Sequence, residues 1–440
     1  MTTRLKLLAF ALLSLGALAA AVVMLNVRGE GDLSDEIAAT APPPAGWRAS
    51  DEVIARGAYL ARAGNCQACH SARGGAPYAG GRAIETPFGT VFSSNLTPDA
   101  EHGLGRWSAP QFWRALHHGR SADGRLLTPA FPYDNITLVS RADSDALYAY
   151  LRSLAPVAQA ARPHELRFPF NTQVALAVWR ALYFEPREFQ ADAGQSADWN
   201  RGAYLVQGLG HCNACHASRN ALGATHGPLD LGGGLIPTHN WYAPSLADSR
   251  EAGVADWDRA EIVALLKVGA VNRASGLVTV SGPMGEVVLR STQHLSEADL
   301  GAMATYLQTL GALADASQAA TATVPDAKRP KPNPRGEKLY VDHCAACHGD
   351  RGEGVPGAYA PLAGNRAVTM RRAANLVRIV LEGGFAPDTP GHPRPFGMPP
   401  FGQTLDNEDI AALLTHVRTS WGNQGTAVSE LQVNRYRGTR

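Results

Sequence analysis

The sequence predicts an all-α protein of three tandem helical units with long Gly/Pro-rich loops, placed after an N-terminal hydrophobic segment. The first observation is a pentapeptide, Arg-Gly-Ala-Tyr-Leu at 56–60, which recurs at 201–205 and in a weaker form at 336–340. The second is a later segment with an acidic start and apolar residues at three- and four-residue spacing, which predicts a closing amphipathic helix. These segments lie at 144–151, 297–307 and 407–417. Strand patterns are scarce.

The repeats divide the chain into units at 47–190, 191–315 and 335–425. In the first two units, Trp107 and Trp257 begin predicted middle helices, over 107–116 and 257–266. Residues 316–334 end in alternating prolines and predict a stiffened linker. About three helices per unit are few for its length, which suggests that something other than side chains fills each centre.

The first 28 residues are either a cleaved signal peptide or a retained membrane anchor. An apolar run at 7–25 follows Arg4 and Lys6, and its length nearly matches the roughly 20 residues that cross a bilayer. The run continues past the possible cleavage site at 17–19, which favours an anchor. The positive charge ahead of it predicts a cytoplasmic amino end. The globular part is therefore expected outside the cytoplasm, anchored by residues 7–25.

The charge balance argues against a nucleic-acid partner. Forty Lys and Arg residues face 39 Asp and Glu residues, for a formal charge of +1, whereas nucleic-acid binding needs a strong basic excess. Sequence motifs of serine-hydrolase or zinc-protease sites are absent. Near-neutrality also argues against docking by long-range attraction alone and predicts a stable, partly apolar partner interface.

All six cysteines belong to three Cys-x-x-Cys-His motifs, the signature of covalent c-type haem attachment. They are Cys66 and Cys69 with His70, Cys212 and Cys215 with His216, and Cys344 and Cys347 with His348. On a helical turn, residues three apart share a face, so both thiols reach the vinyl groups of one porphyrin. The adjoining His then serves as the proximal iron ligand.

Disulfides, a dithiol redox pair and structural zinc are the alternatives for these cysteines. An exported chain could oxidise its thiols. Structural zinc would need two further ligands for each pair, and the sequence offers none at a suitable spacing. If each motif attaches one haem, all six thiols are used in thioether bonds.

Two methionines are predicted to be distal iron ligands, as is common in electron-transfer cytochromes. Met398 lies in a Phe-Gly-Met-Pro-Pro-Phe segment, 50 residues after His348. Met284 lies in a Ser-Gly-Pro-Met-Gly segment, 68 residues after His216. Both segments precede a closing helix, and their prolines hold a loop from which a thioether can face the iron. Met303 and Met370 are expected in the core.

The first unit has no such methionine. Phe131 stands where the repeats place Met398, and Phe cannot ligate iron. His117 and His118, at the end of the middle helix, are the alternatives, although cationic side chains there also suit a helix C-terminus. The first haem is therefore either ligated by two His or five-coordinate, with Phe131 over an open face.

These motifs resemble the triple-haem cytochrome c subunits of membrane-bound bacterial dehydrogenases for alcohols, gluconate, sorbitol or aldehydes. The matching segments are Thr-Pro-Phe-Gly-Thr at 86–90, Asn-Leu-Thr-Pro-Asp at 95–99, Gly-Glu-Val-Val at 285–288 with Ser-Thr-Gln at 291–293, and Pro-Leu-Ala-Gly-Asn at 361–365. The resemblance covers nearly all of 47–425 and implies three tandem class I cytochrome c domains. The run at 129–134 is more similar to a related branch that serves molybdenum hydroxylases of aldehydes or N-heterocycles, since the alcohol branch generally carries Met in place of Phe131.

The predicted function is electron transfer by three haems, without substrate chemistry in this chain. The resemblance implies a catalytic dehydrogenase partner, which is a quinoprotein, a flavoprotein or a molybdenum hydroxylase. It also implies that the electrons are delivered to ubiquinone. The alternative acceptor is a downstream cytochrome or oxidase. The alternative is a peroxidase or reductase at an open first haem, with His117 or His118 as acid or base. A haem-based sensor is a weaker third possibility.

Overall fold

The computed structural model describes residues 3–44, 46–227, 229–237, 239–318 and 333–438. Most of the predicted linker at 316–334 lies outside these residues. The described residues fall into two compact units. The first takes in the described residues of Met1–Ala191, Gln207–His211 and Asn220–Pro228, and the second those of Asp192–Val206, Cys212–Arg219 and Leu229–Arg440.

The helices account for most of the regular structure, so the predicted all-α class is confirmed in its coarse form. The α-helices are α1 (Thr3–Val27), α2 (Gly31–Ala39), α3 (Asp51–Ala63), α4 (Cys66–Cys69), α5 (Ala109–His118), α6 (Tyr133–Ile136), α7 (Arg141–Arg152), α8 (Gln173–Tyr183), α9 (Ala197–Tyr204), α10 (Asn213–His216), α11 (Arg259–Val268), α12 (Pro283–Arg290), α13 (Glu297–Gln318), α14 (Pro334–His343), α15 (Ala345–His348), α16 (Arg366–Thr369), α17 (Ala374–Glu382), α18 (Asn407–Thr419) and α19 (Glu430–Arg437). A π turn (Leu205–Leu209) follows α9, and a 3₁₀ turn (Thr292–His294) follows α12.

Short antiparallel strands, which the sequence pattern did not predict, accompany the helices. They are β1 (Ala83–Thr86), β2 (Gly89–Phe92), β3 (Glu165–Leu166), β4 (Gly234–Leu235), β5 (Tyr242–Ala243), β6 (Ala270–Arg273) and β7 (Gly276–Thr279). They form a three-stranded sheet in the order β1-β2-β3 and the pairs β4-β5 and β6-β7. None exceeds four residues, which is too short for the alternation of polar and apolar residues to stand out.

The recurring pentapeptide marks a helix crossing. It lies on α3, α9 and α14, which pack on the closing helices α7, α13 and α18. Each crossing places a glycine where a Cβ would overlap a backbone carbonyl of the closing helix. The pairs are Gly57 on Ala146, Gly202 on Ala302 and Gly336 on Ala412. A glycine permits this close backbone approach.

An ion pair accompanies each crossing. Arg56 Nε donates to Asp143 Oδ1 at 2.9 Å, and Arg201 donates to both oxygens of Asp299 at 2.7 and 2.8 Å. In the third repeat Arg335 pairs with Asp409 at 2.7 Å. Arg335 stands one residue before the weaker copy of the pentapeptide, so the third repeat keeps the Arg-Gly pair that begins the other two.

The middle helices α5 and α11 begin two residues later than predicted. In each, a polar N-cap at Ser108 or Asp258 forms a capping box, and Trp107 and Trp257 lie just outside the helix. Helices α2, α8 and α19 were not predicted. In the second compact unit of the structure, α19 packs on α17 and α18.

The second and third repeats are joined within one unit. The Asn375 amide donates to the carbonyl of Tyr242 at 2.7 Å and accepts from its N–H at 2.8 Å. Thr389 Oγ1 donates to the Val268 carbonyl at 2.8 Å. These contacts hold β5 and α11 of the second repeat against the third.

Helix α1 is long and apolar enough to cross a membrane, over Ala9–Val27, by length and composition. A signal sequence passes the same test. Most of its large apolar side chains are exposed.

Candidate haem-binding sites

The first Cys-x-x-Cys-His segment forms one helical turn. Helix α3 ends at Gly64, and Asn65 turns the chain into α4 with a left-handed φ of 49°. The His70 N–H donates to the Cys66 carbonyl at 3.0 Å, which closes the turn. Both thiols therefore lie on one side of a single turn, directly before the imidazole.

The second and third segments repeat this turn. The His216 N–H donates to the Cys212 carbonyl, and the His348 N–H donates to the Cys344 carbonyl, both at 2.9 Å. In each of them the first Cys stands at the N-cap of a one-turn helix, α10 or α15. The three motifs thus share the backbone hydrogen bond from the His N–H to the carbonyl of the first Cys.

The three imidazoles also share an orientation. His70 Nδ1 donates to the Ser94 carbonyl at 2.8 Å, His216 Nδ1 to the Pro244 carbonyl at 2.6 Å, and His348 Nδ1 to the Ala360 carbonyl at 2.9 Å. A carbonyl can only accept, so Nδ1 carries the proton and Nε2 keeps its lone pair. Such a backbone partner fixes the ring and the tautomer of a metal-binding His.

Burial keeps these groups neutral. It lowers the pKa of His70, His216 and His348, while the hydrogen bond to the carbonyl opposes the change. An uncharged imidazole is the form that binds iron. Burial also raises the pKa of Cys66 and Cys212 to about 12 and that of Cys344 to about 11, and the second thiol of each pair adds to the rise.

A structural zinc site would need further ligands beside each pair of thiols. Among the described residues, no group of three or more His, Cys, Asp and Glu side chains could hold a metal ion. None of the six sulfurs is bonded to another. Two thiols on one turn beside an imidazole with a free Nε2 fit a covalently attached porphyrin, which brings its own four nitrogens to the iron.

Two arginines that the sequence reasoning missed hold the attachment turns. Arg82 donates to the Ala68 carbonyl in the first turn, and Arg219 donates to the Ala214 carbonyl in the second, at 2.7 Å. Each carbonyl belongs to the residue just before the second Cys. The arginines follow their motifs by different intervals, so no common spacing reveals them.

Met398 lies in the loop between α17 and α18, as predicted from its prolines. Its N–H donates to the Gly384 carbonyl at 2.8 Å, and its carbonyl accepts from the Gly384 N–H at 3.0 Å. Its half-buried side chain packs against the third repeat's apolar core. The paired backbone bonds therefore fix the position from which the thioether extends.

Met284 differs from the expected loop position, since it lies in the first turn of α12. Pro283 occupies the first helical position. Proline suits this position because the N–H group that it lacks would have no partner within the helix there. Gly282 turns into the helix with a φ of +56°. The side chain is half-buried. Met303 and Met370 are buried, as expected for core residues.

Phe131 is half-buried in the turn before α6. His117 and His118 lie at the end of α5, where protein atoms enclose both side chains. Only 8% and 3% of their surfaces are exposed. The His117 ring stacks on Trp113 at 4.4 Å, and its Nδ1 donates to the Thr137 carbonyl at 2.8 Å. His70, His216 and His348, by contrast, keep part of their surface uncovered by protein.

His118 belongs to a basic cluster at the end of α5. The Arg180 guanidinium donates to the His118 carbonyl at 2.7 Å. Burial, together with the nearby His117, Arg180, Arg120 and Arg114, lowers the pKa of His118 to about 3. Within the described part of the chain, its buried Nδ1 has no hydrogen-bond partner.

Comparison with known proteins supports a haem protein. The cytochrome c family model matches residues 54–155 and 334–421. The cytochrome c subunit of a quinone-type alcohol dehydrogenase from Gluconacetobacter polyoxogenes is 36% identical over 414 residues, spanning 89% of this chain and 85% of the relative. The gluconate 2-dehydrogenase cytochrome c subunit of Pantoea cypripedii is 38% identical over 86% of this chain and 88% of its own length. One of the nicotinate dehydrogenase subunits of Pseudomonas putida is 40% identical over 87% of this chain and 31% of its own length.

Proposed function

Because the chain belongs to the family of cytochrome c subunits of bacterial dehydrogenases, we propose that it is a tri-haem electron-transfer subunit of such a complex. The observation that carries the haem count is the threefold recurrence of one attachment geometry. Each copy has a one-turn helix with two thiols and an imidazole whose Nδ1 is held by a backbone carbonyl. Three tandem class I cytochrome c domains, at 47–190, 191–315 and 335–425, follow from the same recurrence.

The attachment residues divide the work in the same way in each domain. The thiols of Cys66 and Cys69, and of their counterparts, form thioethers that prevent loss of the cofactor. His70 and its counterparts present Nε2 as the proximal ligand, oriented by the carbonyl on Nδ1. When bound, a haem supplies a one-electron iron couple.

The thioethers of Met284 and Met398 are the proposed distal ligands of the second and third haems. A Met ligand raises the reduction potential of haem iron. The backbone hydrogen bonds between Met398 and Gly384 already hold the Met398 backbone in place. Ligation of iron by its thioether would therefore cost less conformational entropy. We assign the second and third domains to the high-potential part of the chain on this basis.

The proposed electron donor is a separate dehydrogenase subunit, and the proposed acceptor is ubiquinone or a downstream cytochrome or oxidase. The relatives carry names of alcohol, gluconate and nicotinate dehydrogenases, so they span several substrate classes. The Phe131 segment favours a molybdenum hydroxylase that oxidises an aldehyde or an N-heterocycle. The apolar helix α1 supports anchoring to the cytoplasmic membrane, with the haem domains on the periplasmic side.

The alternative of an enzyme at the first haem receives less support. That reaction needs an acid or base beside the iron, and His117 and His118 were its candidates. Both are enclosed by protein and held at the end of α5. The geometry therefore favours electron transfer.

Co-purification tests the proposed partnership. The tagged full-length chain, solubilised from its own membranes, is expected to bring down a large dehydrogenase subunit and to be reduced when that subunit's substrate is added. A matched chain with Cys344→Ala and Cys347→Ala should still bind the partner but carry one haem fewer. Recovery of the fully haem-loaded chain alone, with no reduction by any candidate substrate, would contradict the proposal.

A further inference from the structure

Helix α8 presents an apolar stripe that no part of the described chain covers. Val174, Val178 and Leu182 lie one turn apart and are 75%, 43% and 64% exposed. The helix has eleven residues, and its one charged side chain, Arg180, points inward and is 2% exposed. A surface helix normally faces water with charged residues, so an uncharged outer face marks an interaction site.

The stripe lies beside the carboxyl end of α1. Asn26 Nδ2 donates to the Ala177 carbonyl at 2.9 Å, and Arg180 Nε donates to Asn26 Oδ1, also at 2.9 Å. Just past the two helix ends, Arg28 pairs with Glu185 at 3.0 Å. From Asn26 to Arg28 on one side and from Ala177 to Glu185 on the other, the contacts advance in the same sense, so the two chain segments run in the same direction here.

This register separates a polar end from an apolar end. The Arg28–Glu185 pair lies at the side where both helices end, and its charges require water. In the opposite direction, α8 leads back through Val178 and Val174 to the exposed Phe168 and Phe170, beside which the exposed Arg167 donates to the Pro87 carbonyl. The same direction along α1 leads into the apolar Ala9–Val27 segment.

We propose that the outer face of α8, defined by Val174, Val178 and Leu182, is embedded in the lipid of the bilayer that α1 enters. This proposal rests on the part of the proposed function in which α1 is a membrane anchor. Since Asn26 is one residue from the end of α1, the lipid around α1 must reach α8 within about one helical turn, roughly 5 Å. Trp179 and Tyr183 on the same helix are of the kinds that concentrate at membrane interfaces.

The helix thus adds a second, lateral attachment to the single anchor. One spanning helix alone leaves a globular domain free to tilt, whereas an adjoining apolar face fixes which side lies against the membrane. The first domain would then be held with α8 facing the membrane.

Site-directed spin labelling in lipid nanodiscs tests this proposal. Every native thiol is used in haem attachment, so a single added cysteine takes the label. Val178→Cys reports on the stripe, Leu18→Cys on the middle of α1, and Glu101→Cys on an exposed loop of the first unit as the control. The readout is collision with oxygen, which concentrates in lipid, against collision with a water-soluble nickel chelate. Haem absorbance confirms that each variant is folded, and Val174→Cys replaces Val178→Cys if the latter is not.

The expected result is that labels at 178 and 18 are several-fold less accessible to the nickel chelate than the label at 101. If the label at 18 is in lipid while that at 178 matches the control, the α8 proposal is wrong and the anchor stands. If the label at 18 is also in water, the anchor and the α8 proposal both fail, although haem-based electron transfer is unaffected. Protection at 178 that requires added dehydrogenase subunit would also overturn the lipid assignment, in favour of a protein contact.

Discussion

Gly57 lies against the carbonyl oxygen of Ala146 where α3 crosses α7, so close that a Cβ would overlap that oxygen. The same relationship joins Gly202 to Ala302 and Gly336 to Ala412. In each of the three repeats, the opening and closing helices therefore pack through the same glycine-to-carbonyl contact. The helices that flank each attachment turn are therefore held in the same way three times.

We expect Gly57→Ala to destabilise the first domain by about 1–3 kcal/mol, because the added methyl must push two helix backbones apart. Denaturant unfolding of the haem-loaded chain measures the change. Gly31→Ala is the matched control, since a Cβ on Gly31 meets nothing within 4 Å. Equal stability of the two variants would show that the crossing is not tight.

The role of Met398 can be tested through the potential of the third haem. Met398→Ala should lower that potential while leaving covalent attachment intact, because the loss of a thioether removes stabilisation of the reduced iron. A spectroelectrochemical titration separates the components. Met303→Leu changes a buried core residue and should leave all potentials in place. An unchanged titration for Met398→Ala would refute the assignment of Met398 as a ligand.

The first haem should respond to Phe131→Met. If His117 and His118 stay enclosed, the native iron has no protein ligand on its distal side and binds carbon monoxide in the reduced state. The methionine variant should gain a low-spin spectrum and lose carbon monoxide binding, whereas Phe131→Leu should keep it. Low-spin first haem in the native chain, converted to high-spin by His117→Ala or His118→Ala, would instead establish ligation by two His.

His118 should contribute to acid sensitivity. Its pKa is held at about 3 in the folded protein against an ordinary value of 6.5, so between these values the unfolded chain binds a proton that the folded chain does not. Stability should therefore fall with decreasing pH, by up to about 1.4 kcal/mol per unit, or about 1.6 kcal/mol from pH 6.5 to 5. His118→Gln should flatten this slope. Equal slopes for native and His118→Gln chains would disprove the effect.

The sequence was sufficient for the elements with strong local signals. Acidic starts and apolar spacing located α7, α13 and α18, and the Cys-x-x-Cys-His motifs located the attachment turns. The carbonyl partners of the proximal histidines lie 12 to 28 residues further along the chain, so only the tertiary fold brings them together. Arg82 lies 14 residues after its partner Ala68 and Arg219 lies 5 residues after its partner Ala214, so no common spacing revealed either arginine.

Helix α8 was missed because its sequence lacks the signals used for the others. It has no acidic first turn, and ten of its eleven residues are uncharged, so no polar face stands out. Met284 was misplaced because a proline before it was interpreted as holding a loop, although proline also begins helices. In both cases the local sequence permits two outcomes, and contacts from distant segments decide between them.

The most direct test of the central proposal, that one chain carries three redox-active haems, is an anaerobic reductive titration of the purified full-length chain combined with its covalent haem content. We expect three covalently bound haems and three electrons taken up per chain. The triple variant Cys66→Ala, Cys212→Ala and Cys344→Ala should fall well short of both values. Two or fewer haems per fully matured native chain, or fewer than three electrons with three haems present, would contradict it.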